Sequence, residues 1–281
     1  MGLQNIIGLD HVVVAVRDLD AAAEVWRELG FTVSPRGTHS AHMGSGNYTI
    51  MFGEDYVELL GVLSPTEHNA PMREWLEERE GLERAAFTAT NAAAGVAELQ
   101  ARGIAALGPV AFGRPVEMPD GTMSEARFNV MRWPVGLRPG GLRIFACQHL
   151  TRETVWIPEL QSHANGASRI LRLEMLCADP AGAAAQMAAL IDERAVAEPD
   201  GAMKVPTGPA RADLVFVTHP MLAARHPGIP LDGLPAEGAA ALTLATNDLA
   251  VAARTIGVAA GACVGVPALR ATGVLLRFEA A

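Results

Sequence analysis

The chain contains apolar segments of two kinds, one typical of strands and one typical of helices. The opening segment LDHVVVAV, residues 9–16, is rich in β-branched residues and predicts a strand. Asp18 then supplies a helix cap, and AAAEVWRELG repeats apolar residues at helical spacing until Gly30 ends the helix. Three further strands are predicted at residues 31–33, 47–52 and 56–62. The order is strand, helix, strand, strand, strand, which we call a βαβββ unit.

This βαβββ unit recurs three more times. Four capping residues each follow an apolar strand and precede an alanine-containing helix, and each helix is followed by enough chain for three more strands. The caps are Asp18, Asn91, Asp179 and Asp248. The repeats predict an α+β fold of four βαβββ units arranged as two pairs.

Two irregular stretches interrupt the repeats. WIPELQSHANGAS, residues 156–168, contains proline, glycine and polar residues, which predicts a link between the two pairs. We therefore expect a first domain at residues 1–155, a linker at 156–167 and a second domain at 168–281. The other stretch, residues 115–133, lies inside the second unit and is predicted to cover a cavity mouth.

Composition disfavours several classes of protein. Half of the 281 residues are apolar and 19% are charged, as in a globular chain. The net charge of −9 disfavours a nucleic-acid partner, since phosphate binding needs a basic surface. The three cysteines lie far apart, which argues against a disulfide framework or a structural zinc site. The sequence shows neither a secretory signal nor a good membrane span, so we expect a cytoplasmic protein without a membrane partner.

Several motifs in the first half of the chain point to a family. The first strand and helix read HVVVAVRDLDAA, the later strands of that unit read GSGNYTIMFGEDYVELLGV, and the second unit ends in CQHLTRETVWIPELQSHANGA. With its four βαβββ units, the chain resembles the vicinal oxygen chelate superfamily, and more closely its glyoxalase-like branch. The resemblance implies that paired units form a half-open β-barrel whose concave face typically holds a divalent metal. Glyoxalases, extradiol dioxygenases, epimerases and bleomycin-resistance-type sequestering proteins share this architecture, so the fold does not settle the function.

His11 and Glu58 are the strongest candidates for metal ligands. Both interrupt apolar strands, where a buried carboxylate is costly without a partner. Strand alternation places His11, Val13 and Ala15 on one face. The resemblance implies that His11 is the first-strand ligand and that Glu58 is the fourth-strand ligand and a candidate catalytic residue. The alternatives are a packed core histidine and a glutamate that pairs with an arginine or faces solvent.

The third ligand stays open between two neighbouring residues. The superfamily often draws a histidine or glutamine from the first strand of the partner unit, but the caps align that position with Ala85 or a neighbour. The partner unit's last strand, RIFACQHL, offers Gln148 and His149, which point to opposite faces of a regular strand. We favour His149, because imidazole is the commoner transition-metal ligand, and strand-end capping is the alternative.

Other polar residues are candidates to bind a substrate. Arg127 and Asn129 alternate in EARFNVMRW and share one face, where an arginine can hold a carboxylate. A surface ion pair is the alternative for Arg127. The remaining candidates are His42, Asn47, Tyr48 and Gln148.

The second half is expected to hold no metal. Arg172 and Ala241 stand where first-strand histidines would be needed, and Glu174 and Glu279 have no histidine in those strands. Two-domain extradiol dioxygenases keep their metal in this half, so ring cleavage there is disfavoured. A further alternative is that the second half serves only as structural or dimerising support, and a homodimer stays open.

The leading hypothesis is therefore a metal-dependent lyase, isomerase or dioxygenase that acts on a small oxygen-rich metabolite in the N-terminal cavity. Its metal is Fe, Mn, Ni or Zn, all of which accept nitrogen and oxygen ligands. Such an ion would polarise paired oxygens of a substrate. The alternative is a metal-free protein that sequesters an aromatic or drug-like compound in the same cavity.

Overall fold

The structure is a computed structural model that describes residues 2–259 and 261–281. Its strands are β1 (Ile6–Val16), β2 (Gly37–Thr38), β3 (Ser45–Met51), β4 (Tyr56–Val62), β5 (Gly81–Ala89), β6 (Leu107–Glu117), β7 (Met123–Arg132), β8 (Arg143–His149), β9 (Ala167–Leu176), β10 (Val196–Ala197), β11 (Met203–Val205), β12 (Asp213–Val217), β13 (Gly238–Thr246), β14 (Val264–Val266) and β15 (Leu275–Ala280). Its helices are α1 (Leu19–Glu28), α2 (Ala70–Glu78), α3 (Ala92–Ala101), α4 (Pro180–Ile191), α5 (His219–Arg225) and α6 (Leu249–Ile256).

Four of the helices begin at the predicted caps. In α1, α3, α4 and α6 the capping side chain accepts a hydrogen bond from a backbone N–H of the first turn, at 2.8–3.0 Å. These bonds satisfy donors that a helix start otherwise leaves free. The prediction of four capped helices is confirmed.

The strands form two sheets, each built from two units joined through their first strands. The first sheet has the order β2-β3-β4-β1-β5-β8-β7-β6, and the second has the order β10-β11-β12-β9-β13-β15-β14. In each unit the first strand lies parallel to the last, whereas β1 pairs antiparallel with β5, and β9 with β13. This topology confirms paired βαβββ units, although the described part of the fourth unit has three strands instead of four.

The first sheet curls until its two edge strands, β2 and β6, contact each other. Its outer face is covered by α1 and α3, and its inner face is concave. Alternation along β1 sends Val12 and Val14 to the helix-covered core and Val13 and Ala15 to the concave face. The concave face is therefore the place where side chains from distant strands meet.

One apolar core lies between the helix-covered faces of both sheets. Trp26 of α1 and Met187 of α4 belong to the same buried cluster. The indole N–H of Trp133 donates to the carbonyl of Leu190 at 3.0 Å, which joins the two halves directly. Because the halves share their core, the domain boundaries near residues 155 and 168 stay a prediction. In the described residues no helix is long and apolar enough to span a membrane.

Two local predictions differ from the structure, and a third segment packs more closely than its composition indicates. Residues 31–33 form no strand, and Thr32 instead donates its backbone N–H to His163 at 3.0 Å. Residues 115–133, expected to be irregular, lie largely in the antiparallel pair β6 and β7. The linker predicted at 156–167 packs tightly, since Asn165 is buried and donates to the carbonyl of Leu29 at 2.9 Å.

Asp55, which precedes β4, joins the two sheets and has a displaced pKa. Its carboxylate accepts hydrogen bonds from the backbone N–H of Ile170 in β9, at 3.1 and 3.2 Å. Burial raises the pKa of Asp55 to about 7, although Ile170 and Arg211 act to lower it. A folded-state pKa above the ordinary value of 3.8 means that this group's contribution to stability is lost as pH rises through about 7.

Replacing Asp55 by asparagine should remove this pH-dependent cost while keeping an acceptor for Ile170. At pH 8 we expect the Asp55→Asn variant to be more stable than the wild type by about 2–4 kcal/mol. At pH 4 most of that gain should be absent, because the wild-type carboxyl is then protonated in the folded chain. Denaturant unfolding at pH 4, 6 and 8 checks this, and a stability difference that does not change with pH would contradict it.

Candidate functional site

A β-bulge in β1 brings Asp10 and His11 to the same side of the sheet. Leu9 pairs with Phe87 and His11 pairs with Ala86, so Asp10 is an extra residue with no partner on β5. Its carboxylate Oδ1 lies 2.7 Å from Nδ1 of His11, and Asp10 is fully buried. Regular alternation would have placed these two side chains on opposite faces.

Asp10 also contacts the end of β8. Its Oδ1 lies 3.0 Å from Nε2 of His149, and its Oδ2 accepts the hydroxyl of Thr88 at 2.8 Å. Burial raises the pKa of Asp10, but the two imidazoles outweigh it and hold that pKa well below its usual range. An ionised carboxylate only accepts hydrogen bonds, so the facing nitrogens, Nδ1 of His11 and Nε2 of His149, carry the protons. In a neutral imidazole, Nε2 of His11 then carries the lone pair.

That lone pair faces Glu58. β4 runs parallel to β1 with Val13 opposite Glu58, and Nε2 of His11 lies 3.7 Å from Oε2 of Glu58. The amide of Asn47 donates to Oε1 of Glu58 at 2.7 Å, which leaves Oε2 directed at His11. In the neutral imidazole, two ligand atoms therefore face each other in a largely buried place, and a proton on Nε2 would make the same contact an ion pair.

This donor set fits a divalent metal ion. Two ligands bound to one ion at about 2.0–2.2 Å lie about 3–4 Å apart, which matches the separation of His11 and Glu58. Oδ1 of Asn47 is buried without a hydrogen-bond partner among the described residues, and it offers a further oxygen beside them. Asp10 corresponds to the outer carboxylate that typically orients a metal-bound histidine.

A second arrangement is also available. Ligand atoms of Asp10, His11 and His149 all lie within 4.8 Å of one another. An ion among them would have to displace the hydrogen bonds that Asp10 already makes to both rings. Nδ1 of His149 is buried without a hydrogen-bond partner among the described residues, so this ring does not reach Glu58 by hydrogen bonding. The first arrangement keeps all observed contacts and is the one we favour.

Aromatic rings surround the two imidazoles. Tyr56 stacks on His11 with ring centroids 4.3 Å apart, and Trp156 and Phe128 lie edge-on to His149 at 4.8 and 5.2 Å. Burial raises the pKa of Tyr56 well above its usual value, and the neighbouring carboxylates raise it further. The Tyr56 phenol is therefore neutral at ordinary pH and adds no charge to the site.

Three residues of this site were missed by the sequence analysis. Arg114 of β6 is largely buried, and burial lowers the pKa of its guanidinium while the nearby Glu58 raises it. Burial likewise lowers the pKa of His39, whose ring is 2.8 Å from the hydroxyl of Ser45. Both are close enough to Glu58 for its charge to raise their pKa values only because β2 and β6 meet across the curled sheet, for which the sequence contains no local signal. Asp10 is the third residue that was missed. Its position beside His11 in an otherwise apolar strand could have indicated that it belongs to the site.

Of the predicted substrate-binding residues on β3 and its preceding turn, only Asn47 lies at the site. Tyr48 points to the helix-covered side, where its hydroxyl donates to Asp20 at 2.7 Å. His42 is exposed in a turn, 5.1 Å between ring centroids from His68. This corrects the expectation that Tyr48 and His42 line the pocket.

The predicted residues Arg127, Asn129 and Gln148 lie on the face of the sheet opposite to His149. Gln148 accepts the backbone N–H of Ala92 at 3.0 Å and so caps the start of α3. Asn129 lies 3.4 Å from Gln148, and Arg127, two residues earlier on the same strand, is exposed. Alternation explains the result, because Phe128 and His149 occupy the concave face. The expectation that these three residues bind substrate is corrected accordingly.

A curled pair of βαβββ units with an imidazole and a carboxylate on its concave face is the architecture of the vicinal oxygen chelate superfamily. The model of the glyoxalase-like domain family matches residues 9–191, more than half of the chain. The chain therefore belongs to the glyoxalase-like domain family. A comparison with curated proteins finds no significant match.

Solved structures share the fold at low identity. A protein from Staphylococcus aureus described as hypothetical is 13% identical, with a TM-score of 0.71, over 97% of this chain and 99% of that one. A mutant 4-hydroxymandelate synthase from Streptomyces coelicolor is 12% identical, with a TM-score of 0.56, over 98% of this chain and 92% of that one. Methylmalonyl-CoA epimerase from Mycobacterium tuberculosis is 18% identical with a TM-score of 0.39, over 55% of this chain and 97% of that one. The first two similarities establish the four-unit fold and nothing finer.

Proposed function

We propose that the concave face of the first sheet binds a divalent metal through Nε2 of His11 and Oε2 of Glu58. The protein would then act as a metal-dependent lyase, isomerase or dioxygenase on a small oxygen-rich metabolite. The observation that carries the proposal is the 3.7 Å approach of Nε2 of His11 and Oε2 of Glu58 in a largely buried site. Either a cation between these atoms or a proton on Nε2 makes such a contact favourable, and metal analysis distinguishes the two.

The surrounding residues prepare these two ligands. Asp10 holds the proton on Nδ1 of His11, so the lone pair of Nε2 stays directed into the site. Asn47 fixes Glu58 through Oε1 and leaves Oε2 for an ion or for a proton taken from a substrate. When bound, a divalent ion supplies a Lewis acid that polarises neighbouring oxygens of the substrate.

Substrate would approach from the side of Glu58. The side chain of Glu58 is 13% exposed, whereas that of His11 is only 4% exposed. Arg114 lies on this side and adds positive charge that favours an oxygen-rich, partly anionic molecule. The aromatic rings on the other side exclude water from His11 and His149.

The second candidate function is metal-free binding of an aromatic compound. The observation that favours it is the cluster of aromatic rings formed by Tyr56, Phe128 and Trp156 beside the site. In that case Glu58 would be an acceptor for a ligand hydroxyl or amine. The same concave face would then serve sequestration without chemistry.

Metal analysis separates the two candidates. The chain is purified without a polyhistidine tag or chelator, its Fe, Mn, Ni and Zn contents are measured, and the metal-depleted protein is titrated with Zn²⁺ and Mn²⁺ by calorimetry. We expect about one ion per chain, in accord with a single site. Protein that neither retains nor takes up metal would refute the enzyme proposal and leave the binding protein as the function.

A further inference from the structure

The second sheet also has a concave face, which lines an open cavity of about 550 Å³. The wall of this cavity carries six basic side chains and three carboxylates. The basic residues are Arg169, Arg172, Lys204, Arg211, Arg225 and Arg277. Most of these cations are paired with carboxylates, so an anion would be attracted by the guanidinium N–H groups that the pairs leave unused rather than by an excess of charge.

Two of these arginines stand where the first sheet has its metal-ligand candidates. Arg172 precedes its cap, Asp179, by the same number of residues as His11 precedes Asp18. In the first unit, Glu58 pairs with Val13, two positions after His11. In the fourth unit, Ala241 precedes its cap, Asp248, by the same number of residues as His11 precedes Asp18. Arg277 pairs with Thr243, two positions after Ala241. The repeat thus places Arg172, in the third unit, at the position of His11, and Arg277, in the fourth unit, at the position that Glu58 has in the first unit, whereas the third unit itself has Val215 at the Glu58 position. Guanidinium groups occupy positions that carry cation-binding atoms in the first sheet.

The arginines are held in place by carboxylates outside the cavity wall. Glu279 accepts two hydrogen bonds from Arg172, at 2.9 and 2.6 Å, and lies 2.7 Å from Nε of Arg277. The fully buried Glu174 accepts from Arg225 at 3.2 Å and from His226 at 2.6 Å. Glu174 therefore has an imidazole partner that the first strands do not offer, because His226 follows α5. Preorganised guanidiniums lose little entropy when they bind an oxyanion.

We propose that this second cavity binds a small molecule through a carboxylate or phosphate group held by Arg172 and Arg277. Each terminal nitrogen of Arg172 donates one N–H to Glu279 and keeps a second N–H, so donors of this cavity-lining residue are available. Planar arginine forks match the oxygens of both groups. The proposal does not depend on whether the first sheet holds a metal.

The test is calorimetric titration of the full chain with inorganic phosphate and, separately, with malonate, at constant ionic strength set by sodium chloride. We expect saturable binding of one probe molecule per chain. Arg172→Gln and Arg277→Gln should each weaken binding about tenfold to hundredfold, because each removes a charge-assisted contact. Arg27→Gln removes the same charge from an exposed pair with Glu24 and should bind like the wild type.

The Arg172→Lys variant controls for misfolding of the glutamine variants, because lysine still provides a cationic partner for Glu279. Circular dichroism should show that this variant is folded. It should nevertheless bind the probe anion at least about fivefold more weakly than the wild type, because lysine lacks the planar guanidinium of arginine. Loss of phosphate binding in the variants identifies a phosphate site, and loss of malonate binding identifies a carboxylate site. Wild-type-like binding by the Arg172 variants, no binding of either probe, or binding that disappears in His11→Ala would overturn the proposal.

Discussion

Replacing His11 by alanine should abolish metal uptake. Outer residues that only orient a ligand typically contribute tenfold to hundredfold to metal affinity, so loss of a direct ligand should exceed about hundredfold. His11 is the one residue shared by both ligand arrangements at this site. Its removal therefore tests the presence of a metal without assuming which arrangement is right.

The matched control for His11→Ala is His42→Ala, which removes an exposed imidazole from the turn before β3. That variant should take up metal like the wild type. Loss of His11 also takes one hydrogen bond from the buried Asp10, which costs about 1–3 kcal/mol. Thermal unfolding of both variants shows whether the chain remains folded. Normal metal uptake by folded His11→Ala would refute the site, whereas retained ligand binding in a metal-free chain would support the binding protein.

The fold was predictable because its signals are local and repeated. Each cap stands between a β-branched or alanine-rich strand and an apolar helix, and the four copies reinforce one another. The hairpin of β6 and β7 was missed because its alternation is weak and most of its residues are exposed. The strand expected at residues 31–33 does not form because that segment bonds to His163, far along the chain. Long-range partners of this kind leave no local pattern.

The site was predictable to the extent that strands are regular. Alternation correctly separates His149 from Gln148, which lie on opposite faces. It fails at Asp10, because a one-residue bulge moves that side chain to the same side as His11. It also cannot show that Arg114 approaches Glu58, since this depends on how far the sheet curls.

The two concave faces carry different charged groups. The first brings Glu58 and Asp10 close to His11, and the second brings Arg172 and Arg277 together around Glu279. Because the four units share one backbone plan, substitutions at equivalent positions change the chemistry that each face offers. Similarity of fold therefore does not show which ligand either half of the chain binds.

Replacing Glu58 by leucine should weaken metal binding more than about hundredfold, whereas His149→Phe should weaken it at most about tenfold. Leucine is close to glutamate in size but offers no ligand atom. His149 reaches the proposed ion only through Asp10 and His11, so its effect is that of a remote orienting residue. Phenylalanine keeps the ring contacts with Trp156 and Phe128.

Which of these two variants loses more metal affinity distinguishes the two ligand arrangements. If Asp10, His11 and His149 hold the ion, then His149→Phe should abolish binding and Glu58→Leu should change it little. Calorimetric titration of both metal-depleted variants with Zn²⁺ and Mn²⁺ gives the two affinities, and thermal unfolding confirms that each variant is folded. Because Asn47 loses its acceptor in Glu58→Leu, we expect that variant to be less stable by about 1–3 kcal/mol. A larger loss of metal affinity in His149→Phe than in Glu58→Leu would move the metal site from Glu58 to the far side of Asp10.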